Sequence, residues 1–268
     1  MENKVVVITG ASSGIGRACA EFFSEKGFDV VISGRSVERL AEVEQSILKK
    51  GRMVCKVVAD VSVESDCKKI IEESIRYFGH IDVLINNAGI SMRALFEEVD
   101  LNVLRKLMDT NFWGAVYCTK FALTYLLESK GSVVGVSSIA GKKGLPGRTG
   151  YSASKFALEG FMETLRTENL KKDLHVLVAC PGFTATHIRT SSLMADGTKQ
   201  AQSPRDENKM MSAEKVAEHI YQAVIHRKRD LILTGNGKLT VLLNKFFPSL
   251  MDKIIYNHIS KEPESPFK

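Results

Sequence analysis

Residues 5–16 read VVVITGASSGIG, an apolar and β-branched run followed by three glycines within seven residues. The run predicts a buried strand, and the residues after it place apolar side chains at helical spacing. A glycine-rich turn between a strand and a helix N-terminus presents backbone N–H groups that attract phosphate. The glycine spacing, G-x-x-x-G-x-G, departs from the commoner G-x-G-x-x-G, but the strand, turn and helix follow in the right order. We therefore predict a dinucleotide-binding loop, with contacts from Gly10, Ser12, Ser13, Gly14, Ile15 and Gly16.

Six further apolar runs follow, separated by stretches with helical periodicity. We predict strands over residues 5–9, 29–33, 53–61, 81–86, 132–138, 174–180 and 230–235. A long helix is predicted from about Leu101 to Leu127. Most runs are apolar at every position, which is typical of parallel strands covered by helices on both faces. The chain is therefore predicted to be an α/β protein, a doubly wound seven-stranded parallel sheet in a single domain.

Composition narrows the class of protein further. Hydrophobic residues make up 44% of the 268 residues, charged residues 25%, and the formal net charge is only +6, spread along the chain. This charge does not indicate a nucleic-acid partner. The five cysteines have no paired spacing and HExxH is absent, so we expect no metal site and cysteines that pack in the core. No signal peptide or membrane span is evident, and we expect a cytoplasmic protein.

The end of the second predicted strand bears on which dinucleotide binds. Residues 33–36 read SGRS, and no carboxylate occurs there before Glu38. An NAD site would place an acid here for the ribose hydroxyls, whereas Arg35 offers a guanidinium suited to the 2′-phosphate of NADP. We predict NADP, held by Arg35 and Ser36, with Asp60 and Val61 beside the adenine. Alternatively, Asp60 only turns the chain before a helix that Ser62 caps.

Polar residues mark the ends of the fourth and fifth predicted strands. Asn86-Asn87-Ala88-Gly89 ends the fourth strand, Asn111 lies in the next helix, and Ser138 ends the fifth. The carboxyl ends of parallel strands meet at one edge of a sheet, so these segments are expected to converge. Tyr151 and Lys155 are one helical turn apart and share a face. The lysine ammonium is expected to lower the pKa of Tyr151, which would make the phenol a usable acid and base.

These motifs together resemble the short-chain dehydrogenase/reductase family of single-domain enzymes. The glycine loop, Asn86–Gly89, Asn111, Ser138, the Tyr151/Lys155 pair and Pro181-Gly182 fall in family order and at family spacing over about residues 4–235. The resemblance implies a Rossmann-like fold with strand order 3-2-1-4-5-6-7.

The resemblance also implies residue roles. Tyr151 would be the acid/base, Lys155 would lower its pKa and bind the nicotinamide ribose, and Ser138 would stabilise the oxyanion. Asn111 would hold a water that links Lys155 to solvent. The implied nicotinamide-side contacts are Asn87, Ala88, Gly89, Tyr151, Lys155, Pro181, Gly182, Thr184 and Thr186.

The expected activity is therefore NADP(H)-dependent interconversion of a small-molecule carbonyl and a secondary alcohol. Two alternatives stay open: an NADP-sensing interaction protein without turnover, and a sugar-nucleotide epimerase or dehydratase. The substrate is not predicted. Its binding loop is expected over about residues 183–211, and Arg93 and Arg148 are interpreted as solvated arginines rather than substrate contacts.

Residues 236–268 form a tail beyond the predicted domain, which spans residues 1–235. Leu239, Leu242, Leu243, Phe246 and later apolar residues recur at helical spacing, with an interruption at Pro248. We predict an amphipathic helix that packs on the domain or at a subunit contact, with a peripheral membrane contact as the alternative. The tail resembles that of the dehydrogenase/reductase member 7 group. A homodimer or homotetramer is expected, because members of the family commonly associate through the helices that carry Asn111 and Tyr151.

Overall fold

The computed structural model describes residues 3–186, 188–200, 210–262 and 265–267. Seven parallel strands form one sheet in the order β3-β2-β1-β4-β5-β6-β7, which confirms the predicted α/β fold and strand order. The strands are β1 Val5–Ile8, β2 Asp29–Gly34, β3 Val54–Val58, β4 Val83–Asn86, β5 Ser132–Val136, β6 His175–Cys180 and β7 Asp230–Ile232.

The glycine-loop strand shows why these runs form a covered sheet. All four residues of β1 are buried, and they point alternately to the two faces. Val6 and Ile8 belong to one hydrophobic cluster, whereas Val5 and Val7 belong to another. Since successive side chains of a strand leave opposite faces, a strand buried on both sides needs an unbroken apolar run.

Nine α-helices complete the described part of the chain. They are α1 Gly14–Glu25, α2 Val37–Leu48, α3 Glu64–Phe78, α4 Leu101–Met108, α5 Gly114–Glu128, α6 Thr149–Glu168, α7 Ala213–Ile225, α8 Gly235–Phe246 and α9 Pro248–Ile259. Residues of α1, α2 and α7 pack into the first cluster, and residues of α3, α5 and α6 pack into the second. The five cysteines are all buried and unbridged, as expected. None of the helices in these described ranges has both the length and the apolar character needed to cross a bilayer.

The structure differs from the prediction in three respects: the ends of several strands, the long helix and the tail. Several strands end one to three residues earlier than predicted, so Ser138 lies in the loop beyond β5 rather than in the strand. The long helix is interrupted by a π-helical turn, Asp109–Trp113, which separates α4 from α5. The tail forms two helices, α8 and α9, because Pro248 begins a new helix at its first position, where its missing N–H costs nothing.

The predicted substrate loop and the tail flank the same edge of the sheet. The loop pairs with the segment after β4 through a bridge between Met92 and Leu193, and its two ends pair with each other through a bridge between Thr184 and Met211. His187 and residues 201–209 of the predicted loop lie outside the described residues. The tail is anchored at its end by an ion pair between Arg93 and Glu262, at 3.3 Å. Arg93 is 7% exposed, so its interpretation as a solvated arginine is wrong.

Candidate active site

One cavity opens at the carboxyl ends of the central strands, beside the N-terminus of α1. It brings together Tyr151, Lys155 and Ser138 with Asn87, Gly89, Pro181, Gly182, Thr184 and Thr186, as well as Ile15 of the glycine loop. Phe183, Ile188 and Arg189 of the predicted substrate loop also line it. So do five residues that the sequence analysis did not predict for the site: Ser91, Val136, Ser137, Leu145 and Arg148. The predicted catalytic and nicotinamide-side segments therefore converge, as the topology of a parallel sheet requires.

The glycine loop has the backbone that a phosphate-binding turn needs. Gly14 has a φ of +54°, a backbone conformation that residues with a side chain rarely adopt. A Cβ at Gly16 would overlap the Gly10 carbonyl oxygen, so the chain crosses itself at that point. Ser13 occupies the N-cap position of α1, but its side chain makes no hydrogen bond to the first turn of the helix. The first N–H groups of α1 thus remain available, and the loop fits the pyrophosphate of a dinucleotide.

The predicted adenosine end is built from the ends of β2 and β3. The Arg35 side chain is 61% exposed and its guanidinium lies 3.7 Å from the Asp60 carboxylate. Burial alone would raise the pKa of Asp60, but hydrogen bonds from Ser62 and the charge of Arg35 outweigh it and lower that pKa. Ser62 donates both hydrogen bonds to Asp60, and Val63 rather than Ser62 caps α3. Asp60 therefore turns the chain while also facing Arg35.

The two predicted serine contacts differ in what surrounds them. The Ser36 hydroxyl accepts a hydrogen bond from the backbone of Arg39 at 3.3 Å, so it caps α2. Ser12 lies against the end of β2, since a Cβ at Gly34 would come within 3.3 Å of its hydroxyl. Ser12 and Arg35 therefore flank the same strand end.

Thr9 joins the glycine loop to the end of β4, a role that the sequence analysis missed. Its hydroxyl accepts hydrogen bonds from the backbones of Asn87 and Ala88, at 3.0 and 3.1 Å. The Asn87 amide in turn donates to the Thr9 and Gly10 carbonyls, at 2.9 and 3.2 Å. This reciprocal bonding fixes the two strand ends between which the cofactor is predicted to lie.

Asn111 holds the segment that follows Gly89. Its amide oxygen accepts from the Ile90 backbone at 2.8 Å, and its amide nitrogen donates to the Ile90 carbonyl and to the Ser154 hydroxyl, both at 2.9 Å. The π-helical turn displaces Asn111 from a regular helix and aims it at this segment, as such turns often do at functional sites. Asn111 and Lys155 meet at Gly89. The predicted water on Asn111 stays a prediction.

Tyr151 and Lys155 lie on the buried face of α6, 9% and 4% exposed. The Lys155 ammonium donates to the Val136 carbonyl at 2.8 Å and lies 5.9 Å from the centre of the Tyr151 ring. Burial raises the pKa of Tyr151, and its hydrogen bond with Ser138 and the charge of Arg148 offset only part of that effect. This direction is opposite to the expected one, because burial outweighs the groups that lower the pKa of Tyr151. Burial also lowers the pKa of Lys155 to about 8.

The fold and the site together define a Rossmann-type nucleotide-binding protein, and comparison with known proteins identifies the family. The family described as short chain dehydrogenase matches residues 4–196. The chain is 34% identical to rat dehydrogenase/reductase SDR family member 7B over 273 residues, which cover 99% of this chain and 84% of the rat protein. The chain belongs to the short-chain dehydrogenase/reductase family of oxidoreductases, and its predicted likeness to the member 7 group is confirmed.

Two solved structures share the fold at 24% sequence identity. A short-chain dehydrogenase/reductase from Burkholderia phymatum in complex with NAD has a TM-score of 0.83 and covers 93% of this chain and 95% of its own. An alcohol dehydrogenase from the archaeon Thermococcus sibiricus complexed with 5-hydroxy-NADP has a TM-score of 0.76 and covers 86% and 95%. The two structures hold different dinucleotides, so the likeness in fold does not choose between NAD and NADP.

Proposed function

We propose that the chain is an NADP(H)-dependent oxidoreductase that interconverts a carbonyl and a secondary alcohol, with Tyr151 as general acid/base. One observation carries the proposal: Tyr151, Ser138 and Lys155 line a single cavity that also contacts the glycine loop through Ile15. A proton donor, an oxyanion partner and a dinucleotide loop in one cavity are what hydride transfer to a carbonyl requires.

Each of these side chains has a part in the reaction. A bound nicotinamide dinucleotide supplies the hydride for reduction or accepts it in oxidation. Tyr151 donates its phenolic proton to the substrate oxygen during reduction, and its raised pKa keeps that proton in place at neutral pH. Ser138, which hydrogen-bonds Tyr151, stabilises the developing charge on the same oxygen. Lys155 would hold the ribose of the bound dinucleotide, and its ammonium charge would favour the tyrosinate once the proton has left.

The preference for NADP rests on the end of β2. Arg35 is the first charged residue after that strand, and its exposed guanidinium can rotate from Asp60 onto a 2′-phosphate. The separation of 3.7 Å makes the Arg35–Asp60 pair a loose one, so little is lost when the arginine turns. A dianionic phosphate would then replace a single carboxylate as its partner.

The experiment is a turnover assay with ketones and secondary alcohols, using NADPH, NADH, NADP and NAD in parallel. We expect oxidation of NADPH by at least one class of ketone and a lower rate with NADH. Binding of NADPH without turnover across steroid, acyl, sugar and aromatic carbonyls would favour the sensing protein instead. Conversion of a sugar nucleotide without net change in the cofactor would favour an epimerase or dehydratase.

We also propose that the chain forms a homodimer or homotetramer through α5 and α6. Aromatic side chains from both helices and the π-helical turn form one cluster: Phe112 lies edge-on to Trp113 and Phe161, and Trp113 stacks on Tyr117 at 5.7 Å. Trp113 is 42% exposed, and Phe156 of α6 is 47% exposed. An exposed aromatic face of this kind is typical of a subunit contact.

A further inference from the structure

A buried carboxylate lies on the catalytic face of α6 without a part in the mechanism above. Glu159 follows Lys155 by four residues, as Lys155 follows Tyr151, so the three side chains share one helix face. Glu159 is only 9% exposed. The carboxyl group of a glutamate is rarely buried unless hydrogen bonds and opposite charges compensate it.

Three groups bind this carboxylate, two from the loop between β5 and α6 and one from the end of β6. The Ser137 hydroxyl donates to Oε1 at 2.6 Å, and the Cys180 thiol donates to the same oxygen at 3.4 Å. The Lys142 ammonium lies 2.6 Å from Oε2. The chain packs tightly at this point, because a Cβ at Gly141 would overlap both Oε1 of Glu159 and the Ser137 hydroxyl.

These partners adjoin groups of the proposed active site. Ser137 immediately precedes Ser138, which hydrogen-bonds Tyr151. The backbone N–H of Ser137 donates to the Ala179 carbonyl of β6 at 2.7 Å. Cys180 ends β6 and precedes Pro181-Gly182, which line the cavity. A single carboxylate therefore ties the ends of β5 and β6 to α6. An apolar side chain could fill the same space without the cost of burying a charge, so packing alone does not account for a glutamate here.

The charge of Glu159 also acts on Lys155. Burial lowers the pKa of Lys155 to about 8, and the negative charge of Glu159 opposes this effect. The other titratable groups facing this cluster are Tyr151 on α6, Lys142 after β5, and Asp230 of β7, which acts on Lys142. Arg148, at the start of α6, acts on Tyr151.

We propose that Glu159 is a positioning residue: its carboxylate fixes the ends of β5 and β6 beside Tyr151, and its negative charge keeps the Lys155 ammonium protonated. The catalytic part of this inference rests on the proposed function. Its electrostatic part concerns Lys155 alone and can be measured without turnover.

The test is an NMR titration of protein labelled with ¹³C at the lysine ε-carbon, with Lys155→Met to assign the signal. In Glu159→Gln we expect the pKa of Lys155 to fall by about 1, because an adjacent negative charge is removed. Lys142→Met removes the partner of Glu159 but leaves its charge, so the pKa of Lys155 should not fall. An unchanged pKa in Glu159→Gln, or an equal fall in both variants, would contradict the proposal.

Kinetics supply the second arm. Glu159→Gln should lower kcat about fivefold at pH 8, with little change in KM, because a fall of about 1 in the pKa of Lys155 lowers its protonated fraction by that factor. The loss should narrow at pH 6, where Lys155 is protonated in both proteins. A loss of the same size at every pH would overturn the electrostatic role. If the wild type turns over no carbonyl, the proposed function fails, but the lysine titration still decides this inference.

If Glu159→Gln does not fold, Ser137→Ala removes one hydrogen bond from the carboxylate. We expect that variant to lower kcat about tenfold with unchanged NADPH affinity, and an unchanged kcat would contradict the positioning role.

Discussion

Helix α6 and the tail helices α8 and α9 are both amphipathic, yet they relate to the protein in opposite ways. Nine residues of α6 are buried, including the polar Tyr151, Lys155 and Glu159. In contrast, only Gly237 of α8 and Met251 and Ile259 of α9 are buried. The tail exposes large apolar side chains instead: Leu239, Leu242, Phe246, Phe247, Leu250, Ile254 and Tyr256. One helix thus buries polar groups, and the other two expose apolar ones.

This difference in burial between α6 and the tail helices predicts which substitutions affect stability and function and which do not. A buried polar group must find a partner within the chain, and the groups on α6 have identifiable partners in β5, in β6 and in the loop between β5 and α6. An exposed apolar side chain needs no partner within the chain, so nothing in α8 or α9 identifies what covers it. Changes on the buried face of α6 should therefore affect folding and chemistry, whereas changes at the exposed apolar positions of the tail should leave both largely unaltered.

Two matched leucine truncations test this contrast most strongly. Leu158 of α6 is 1% exposed and Leu242 of α8 is 55% exposed. We expect Leu158→Ala to lower the free energy of unfolding by about 2–5 kcal/mol, since it leaves a cavity under the sheet, and Leu242→Ala to change it by less than about 0.5 kcal/mol. Chemical denaturation of the two variants measures both values. Equal losses would mean that the tail is part of the folding core.

The buried lysine should make stability depend on pH. The pKa of Lys155 is about 8 in the folded chain against 10.5 for an unperturbed lysine, so the unfolded chain binds the extra proton between these values. Stability should therefore rise with pH from about 8 to 10.5 by about 3 kcal/mol relative to Lys155→Met, in which this titration is absent. Denaturation midpoints of both proteins across this range give the difference. A wild type that loses stability relative to Lys155→Met would show that burial does not govern this lysine.

Arg35 offers a smaller effect at the adenosine end of the site. Arg35→Ala should weaken NADPH binding by about 1.5–3 kcal/mol through loss of a charge-assisted contact, while NADH binding changes little. Calorimetry with both cofactors measures the two affinities, and Arg76→Ala on α3 is the control for loss of an exposed positive charge. An equal loss for NADPH and NADH would indicate that Arg35 supports the fold rather than a phosphate.

The exposed aromatic cluster offers the last test, in which the measured quantity is the size of the oligomer. Trp113→Glu should convert the proposed oligomer into a smaller species in light scattering, while Leu170→Glu, at a site 75% exposed outside α5 and α6, should not. Leu170→Glu should change the free energy of unfolding by less than about 0.5 kcal/mol. An oligomer that survives Trp113→Glu but dissociates when residues after 237 are deleted would assign the subunit contact to the tail.

The sequence predicts most of the fold because its signals are local. An unbroken apolar run predicts each buried strand, and residues 5–16 predict the strand, the turn and the start of the helix together. The π-helical turn around Asn111 was not predictable, since a five-residue widening leaves the apolar period nearly unchanged. The motif predicted which residues meet at the site, but not the direction of the pKa of Tyr151.

That direction depends on how deeply the Tyr151 phenol is buried, which is a property of the tertiary structure. Contacts made by single polar side chains were missed for the same reason. Glu159 stands four residues beyond Lys155, a spacing that places it on the same face, but only the structure supplies Ser137, Lys142 and Cys180 as its partners. Arg93 was misread because its partner, Glu262, is far away in the sequence.

The central claim is that Tyr151 donates and accepts the proton at the substrate oxygen, and a single-turnover experiment with Tyr151→Phe tests it most directly. Enzyme saturated with NADPH is mixed with a ketone that the wild type reduces, and the decay of NADPH absorbance is followed. The account predicts NADPH affinity within about threefold of wild type and a rate about 10²–10⁴-fold lower, because only the transferable proton is removed. A Tyr151→Phe variant that reduces the ketone at a rate near that of the wild type would contradict the account.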